Sequence, residues 1–181
     1  MMKKILIGIV VLAAILAGAM FYLNNRNRTL SPPGTAELTS GDLKVSVTYS
    51  RPSVRGRKIF GTKEEGALQP YGAYWRLGAN ESTEITVNQD VNFNGQPIKA
   101  GTYMMYAVPG TETFDIGLNS ELGKWGYFEP DHGLDILHTK VAVQKTASSV
   151  EMYTITLEPT EDGINTIFEW GDTRLVLPIT R

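Results

Sequence analysis

Two hydrophobic patterns divide the chain. Lys3 and Lys4 precede an unbroken apolar run from Ile5 to Leu23. Nineteen residues at a rise of 1.5 Å make a helix of about 28 Å, close to the thickness of a bilayer's hydrocarbon core. From Leu43 onward the period becomes two. Leu43, Val45, Val47 and Tyr49 alternate with Lys44, Ser46, Thr48 and Ser50, and the same alternation recurs around Ile85–Val87, Phe114–Leu118, Leu137–Val143, Tyr153–Leu157, Ile164–Trp170 and Leu175–Ile179. Such runs predict strands with one wet and one dry face, the pattern of antiparallel sheets. Turn signals separate them. Asn94-Gly95 is the strongest, because both turn positions of a two-residue hairpin want positive φ; Pro109-Gly110, Asn119-Ser120 and Glu161-Asp162-Gly163 are others. The expected fold is all-β, an antiparallel β-sandwich, jelly-roll-like, preceded by one transmembrane helix. Pro178 falls on the outward parity of the last run and predicts an edge strand. Arg51–Ala73 and Glu121–Gly133 lack alternation, and the second is expected to contain a helical turn.

The expected organisation is a signal-anchor or transmembrane helix at residues 1–23, a polar stalk at 24–34 containing Pro32-Pro33-Gly34, and a sandwich domain at 35–181. Ala17-Gly18-Ala19 offers a signal-peptide cleavage site, and a buried soluble helix is a third reading. Met20-Phe21-Tyr22-Leu23 carries the apolar run past that site and favours the uncleaved anchor. Cleavage places the globular part outside the cytoplasm; for the anchor, Lys3, Lys4 and the terminal amine stand against Arg26 and Arg28 and favour a cytoplasmic N-terminus by a small margin, with the domain in a periplasm or its equivalent.

Charge then narrows the function. Lys3, Lys4, Arg26 and Arg28 flank the apolar run, while all nineteen acids lie beyond it. The globular part holds thirteen basic residues against those nineteen acids, a net of −6, which argues against a general nucleic-acid partner. With no cysteine, disulfides, Cys-based zinc sites, thiol nucleophiles and a lipoprotein anchor are excluded.

Tyr49-Ser50-Arg51-Pro52, Arg55-Gly56-Arg57, Trp75-Arg76-Leu77-Gly78-Ala79-Asn80-Glu81, Ala100-Gly101-Thr102-Tyr103 and Trp125-Gly126 together resemble a bacterial family, the domain of unknown function numbered 2911, common in Bacteroidota. The resemblance spans roughly residues 35–181. It implies an exported β-rich domain in a Gram-negative envelope and carries no established activity.

Arg51 and Glu81 extend the inward parity of their strands. That predicts an ion pair closing one end of the core, or a ligand pocket built on the same groups. Arg51, Arg55, Arg57, Lys58 and Lys63 form a basic stretch with no acid between Leu43 and Lys63, suited to an anion or to a solvated loop. The candidate ligand-binding residues are therefore Tyr49, Arg51, Arg55, Arg57, Trp75, Arg76, Asn80 and Glu81. Tyr71, Tyr74, Trp125, Tyr127 and Phe128 either cap the core or form a stacking platform for sugars. Glu81, Glu84, Asp115 and Asp135 are too common a residue type to define a glycosidase pair. His132 and His138 do not have metal-ligand spacing, and no nucleophile elbow or phosphate loop is present, so no metal, cofactor or catalytic residue is assigned. The expected function is non-catalytic binding of a glycan or small anionic ligand in the cell envelope. The alternative is a structural domain docking another envelope protein, and a hydrolase ranks third.

Overall fold

The computed structural model describes residues 2–181. Helix α1 spans Met2–Leu30, and the strands are β1 (Pro33–Ser40), β2 (Leu43–Ser50), β3 (Phe60–Gly61), β4 (Gln69–Pro70), β5 (Thr83–Val87), β6 (Val91–Phe93), β7 (Gln96–Ile98), β8 (Gly101–Val108), β9 (Thr113–Asn119), β10 (Asp135–Ala142), β11 (Gln144–Pro159) and β12 (Gly163–Thr180). One helix is long and apolar enough to cross a membrane, and its apolar stretch is exposed throughout. The polar stretch at 24–34, expected as a stalk, is helical as far as Leu30. Asn24–Thr29 is polar but contains no helix breaker, so the helix runs on to Leu30. It stops where Ser31 precedes Pro32, a position at which the α conformation is disfavoured. The chain enters β1 three residues later, at Pro33.

The antiparallel sandwich expected from the alternation is what forms. One sheet has the order β1-β2-β5-β8-β9-β10, the other β11-β12-β6-β7, and every pairing in both is antiparallel. Leu43, Val45 and Val47 of β2, Ile85 of β5, Ile116 and Leu118 of β9, and Phe93, Ile164, Leu177 and Ile179 of the second sheet are fully buried between the sheets. At one end the core becomes aromatic. Trp75 stacks on Trp170 at 5.8 Å between ring centroids, with Phe60, Phe114 and Tyr153 packed edge-on around Trp75. The Asn94-Gly95 hairpin forms as expected, with φ of 50° and 83° and Phe93 opposite Gln96.

Pro178 does not mark an edge. β12 has β11 on one side and β6 on the other. It bends at Gly171, where φ is +58°, so that Gly163 lies against Ile179 and Thr180. Its registered pairs with β6 begin at Ile179, so no ladder N–H is needed from Pro178. The outer face of β8 is covered as well. The segment between β9 and β10, including a 3₁₀ turn at His132–Leu134, packs His132 on Tyr106 there, Tyr74 packs on the same ring, and Met104 and Tyr106 are both buried.

Candidate functional site

The loop joining Trp75 to β5 is fixed from both sides. Trp75 exchanges two 2.8 Å backbone hydrogen bonds with Ala107, and Thr83 Oγ1 donates to the Leu77 carbonyl at 2.7 Å. Between them Leu77 and Asn80 hold φ of 51° and 57°, a left-handed conformation unfavourable for a leucine and sustained only where packing imposes it. Gly78 supplies the close approach: a Cβ there would lie 2.8 Å from the Ser50 carbonyl oxygen. These turns redirect the chain before Glu81.

They also bring the loop to the carboxyl end of α1, whose last carbonyls have no partner within the helix. Asn80 Nδ2 donates to the Ser31 carbonyl at 3.1 Å and to the Asn27 carbonyl at 3.4 Å. Arg55 Nη2 donates to the Leu30 carbonyl at 3.0 Å, and Arg28 of the helix pairs with Glu81. Helix and sandwich are thus joined by side chains from two loops.

At this junction lies an open cavity of about 400 Å³, walled by Asn27, Leu30 and Ser31 of the helix end and by Arg55, Arg57, Arg76, Asn80 and Trp125 of the domain. No carboxylate lines it. Arg57 is held by carbonyls of its own loop: Nε donates to Val54 at 3.0 Å. Arg76 Nη1 donates to the Asn80 carbonyl at 3.1 Å, and its guanidinium carbon stands 6.0 Å from the Tyr127 ring centroid. Burial depresses the Arg76 pKa, partly offset by Tyr74 and Tyr127. Among the described residues, none of these three arginines has an ion-pair partner. Trp170 also borders the cavity, and its buried Nε1 finds no acceptor among them.

Four of the eight residues chosen from sequence, Arg55, Arg57, Arg76 and Asn80, meet at this cavity. Tyr49 and Trp75 are core residues. The Tyr49 hydroxyl accepts the Ile155 N–H at 2.9 Å and donates to the Ile155 carbonyl at 3.3 Å, and Trp75 Nε1 donates to the Gly78 carbonyl. Arg51 and Glu81 are not partners. Arg51 lies over β11, donating to Thr154 Oγ1 at 3.3 Å and more weakly to the Tyr153 carbonyl, while Glu81 pairs with Arg28. Glu81 lies two residues before β5 begins, and Ser82 and Thr83 are both buried, so the strand's alternation does not extend to it. Trp125, Tyr127 and Phe128 are exposed rather than capping the core. Of the other acids, Glu84 accepts the Gly123 N–H.

A second polar cluster, on the outer face of β8, joins His132, His138, Asp115 and Asp135, which the sequence offers only as separate residues. Asp135 Oδ2 accepts from Tyr106 Oη at 2.7 Å, His132 Nδ1 at 2.9 Å and His138 Nε2 at 3.1 Å, while Asn119 Nδ2 donates to its other oxygen at 2.8 Å. His138 Nδ1 faces Asp115 at 3.2 Å. Gly117 leaves room for the Tyr106 ring: a Cβ there would sit 2.3 Å from it. The available signal was the three-residue spacing of His132, Asp135 and His138. Among the described residues no group of three or more His, Asp or Glu side chains is arranged to hold a metal ion.

The fold and site define an antiparallel β-sandwich behind one apolar helix, with an arginine-lined cavity where the two join. A family model described as "Protein of unknown function (DUF2911)" matches residues 31–179, and the chain belongs to this family. No curated protein and no solved structure shows a significant match to it.

Proposed function

We propose that this protein is a membrane-anchored, non-catalytic binding module whose cavity at Arg55, Arg57, Arg76 and Asn80 holds a small anionic ligand, an acidic glycan included. The observation that supports it most is three guanidinium groups around one cavity with no carboxylate among them. The globular part has nineteen acids to draw on, yet none lines this site. Arg55 and Arg57 are exposed, but Arg76 is half-buried; a partly buried guanidinium without a counter-ion is costly, and an external carboxylate, sulfate or phosphate relieves that cost through forked hydrogen bonds. A volume of about 400 Å³ suits a small molecule. The last turn of the apolar helix is itself a wall of the cavity, which supports an uncleaved anchor; Lys3, Lys4 and the terminal amine at its start support a cytoplasmic N-terminus, and with it an extracytoplasmic domain.

A thermal-shift screen of the full chain in detergent tests the reading, setting phosphorylated, sulfated and uronic-acid compounds against their neutral counterparts. Anionic compounds are expected to raise the melting temperature by mass action, and Arg76→Gln is expected to remove the shift. Equal shifts from neutral and anionic compounds would refute it.

A further inference from the structure

We infer that the anion taken by this cavity is the phosphate of a membrane lipid of net negative charge, one whose headgroup carries no balancing cation, in the leaflet from which α1 emerges; this rests on the anion-binding reading above. The helical form of the polar stretch carries the inference. The apolar run ends at Leu23, and the helix continues without a break to Leu30. Asn27 and Leu30, two walls of the cavity, stand four and seven residues beyond Leu23, about 6 and 10 Å along the axis at the α-helical rise. A headgroup layer is roughly 5–8 Å deep on each side of the hydrocarbon. The helix wall of the cavity therefore starts within the headgroups.

The domain is held at that height. Asn80, Arg55 and Glu81 all bond to residues 27–31, so the cavity cannot be lifted away without breaking those contacts. The surroundings match an interface. Trp125 borders the cavity and is 40 % exposed, and Tyr127 and Phe128 on the same loop are 69 % and 67 % exposed. Aromatic rings concentrate at the membrane–water boundary, where an apolar body and a polar rim are both accommodated. A freely diffusing anion would account for the arginines and leave these three rings without a role. A lipid accounts for both, with its phosphate among the guanidinium groups and its glycerol and acyl carbons against the rings. The attraction of arginines to an anionic leaflet adds to the same effect.

The test is native mass spectrometry of the full chain released from nonionic-detergent micelles holding equal amounts of phosphatidylglycerol and phosphatidylcholine. A parallel titration uses glycerol phosphate in lipid-free micelles. Retained phosphatidylglycerol is expected to exceed phosphatidylcholine, with the preference falling about fivefold for each arginine removed. Arg76→Gln tests the half-buried group. Arg57→Gln is the companion variant, because Arg57 is exposed and its side chain bonds only to carbonyls of its own loop, so the substitution touches no core contact. If glycerol phosphate binds but phosphatidylglycerol is not enriched, the lipid inference is overturned and the anion site stands. If neither binds, both fall. A preference unchanged in both variants places the lipid elsewhere and also overturns the inference.

Discussion

Replacing Asp135 with asparagine removes one negative charge from a point where four side-chain donors converge. The carboxylate is only 10 % exposed and receives hydrogen bonds from Tyr106, Asn119, His132 and His138 between 2.7 and 3.1 Å. Burial works against its ionisation, but those four bonds prevail and hold its pKa below the usual carboxylate range. Hydrogen bonds to a charged group contribute about 1.5–3 kcal/mol each and are not additive. Asparagine keeps one acceptor and the hydroxyl can rotate, so the net loss is about 2–4 kcal/mol. For a domain of this size that lowers the melting temperature by roughly 5–10 °C. The effect is coupled to pH. The hydrogen bond to Asp135 raises the His132 pKa above its ordinary value; for His138 burial opposes, but Asp135 and Asp115 prevail and the net direction is also upward. A raised folded-state value means that the histidines' contribution is complete below the unfolded value of about 6.5 and is lost as pH climbs through the folded value. Both rings are about half exposed, so solvent screening keeps this slope shallow. The contribution of Asp135 itself has the opposite sense, present above about pH 3.9 and lost only on acidification. Differential scanning calorimetry of the full chain in detergent between about pH 5.5 and 8.5 should show the wild type losing stability as pH rises, and Asp135→Asn starting lower with a flatter profile. A variant melting within about one degree of wild type, or a wild type that gains stability with pH, would refute this reasoning.

Gly95→Val places a β-branched residue at φ +83° in the β6–β7 turn and should cost about 1–3 kcal/mol in chemical denaturation; an unchanged midpoint would mean the turn tolerates it. Tyr49→Phe deletes a buried hydroxyl that both donates to and accepts from Ile155, for a loss of about 1–2 kcal/mol measured the same way. Arg51→Ala and Glu81→Ala should be additive within about 0.5 kcal/mol in a double-mutant cycle, because the two side chains serve different partners. By contrast, Arg28→Ala and Glu81→Ala are coupled but by at most about 1 kcal/mol, the pair being exposed on both sides.

Period-two alternation was enough to find the sandwich, because burying one face of each strand is what holds the sheets together. Asn94-Gly95 was equally legible, since a two-residue hairpin demands left-handed residues there. The helix outruns its apolar pattern because polarity alone does not end a helix. Asn24–Thr29 is polar because it leaves the apolar zone, and only Pro32 stops the helix. Arg55, Arg57, Arg76 and Asn80 could be named as candidates from charge and local motif, yet nothing linear placed Asn27 and Leu30 beside them. The expected Arg51–Glu81 pair does not form because parity holds only along a regular strand: β2 ends at Ser50 and β5 starts at Thr83, so both residues lie outside the alternation. Asp135, His132 and His138 stand as separate residues in the sequence because their meeting point is Tyr106, on another strand, with Gly117 clearing the space for its ring.

The binding of an anion in the arginine cavity is tested most directly by isothermal titration of inorganic phosphate into the full chain and into Arg76→Gln, with neutral glycerol as the control. The expected result is saturable one-site binding to the wild type, at least about tenfold weaker in the variant for a lost charge-assisted contact, and no heat from glycerol. No saturable binding to the wild type, or equal affinity in the two proteins, would contradict it.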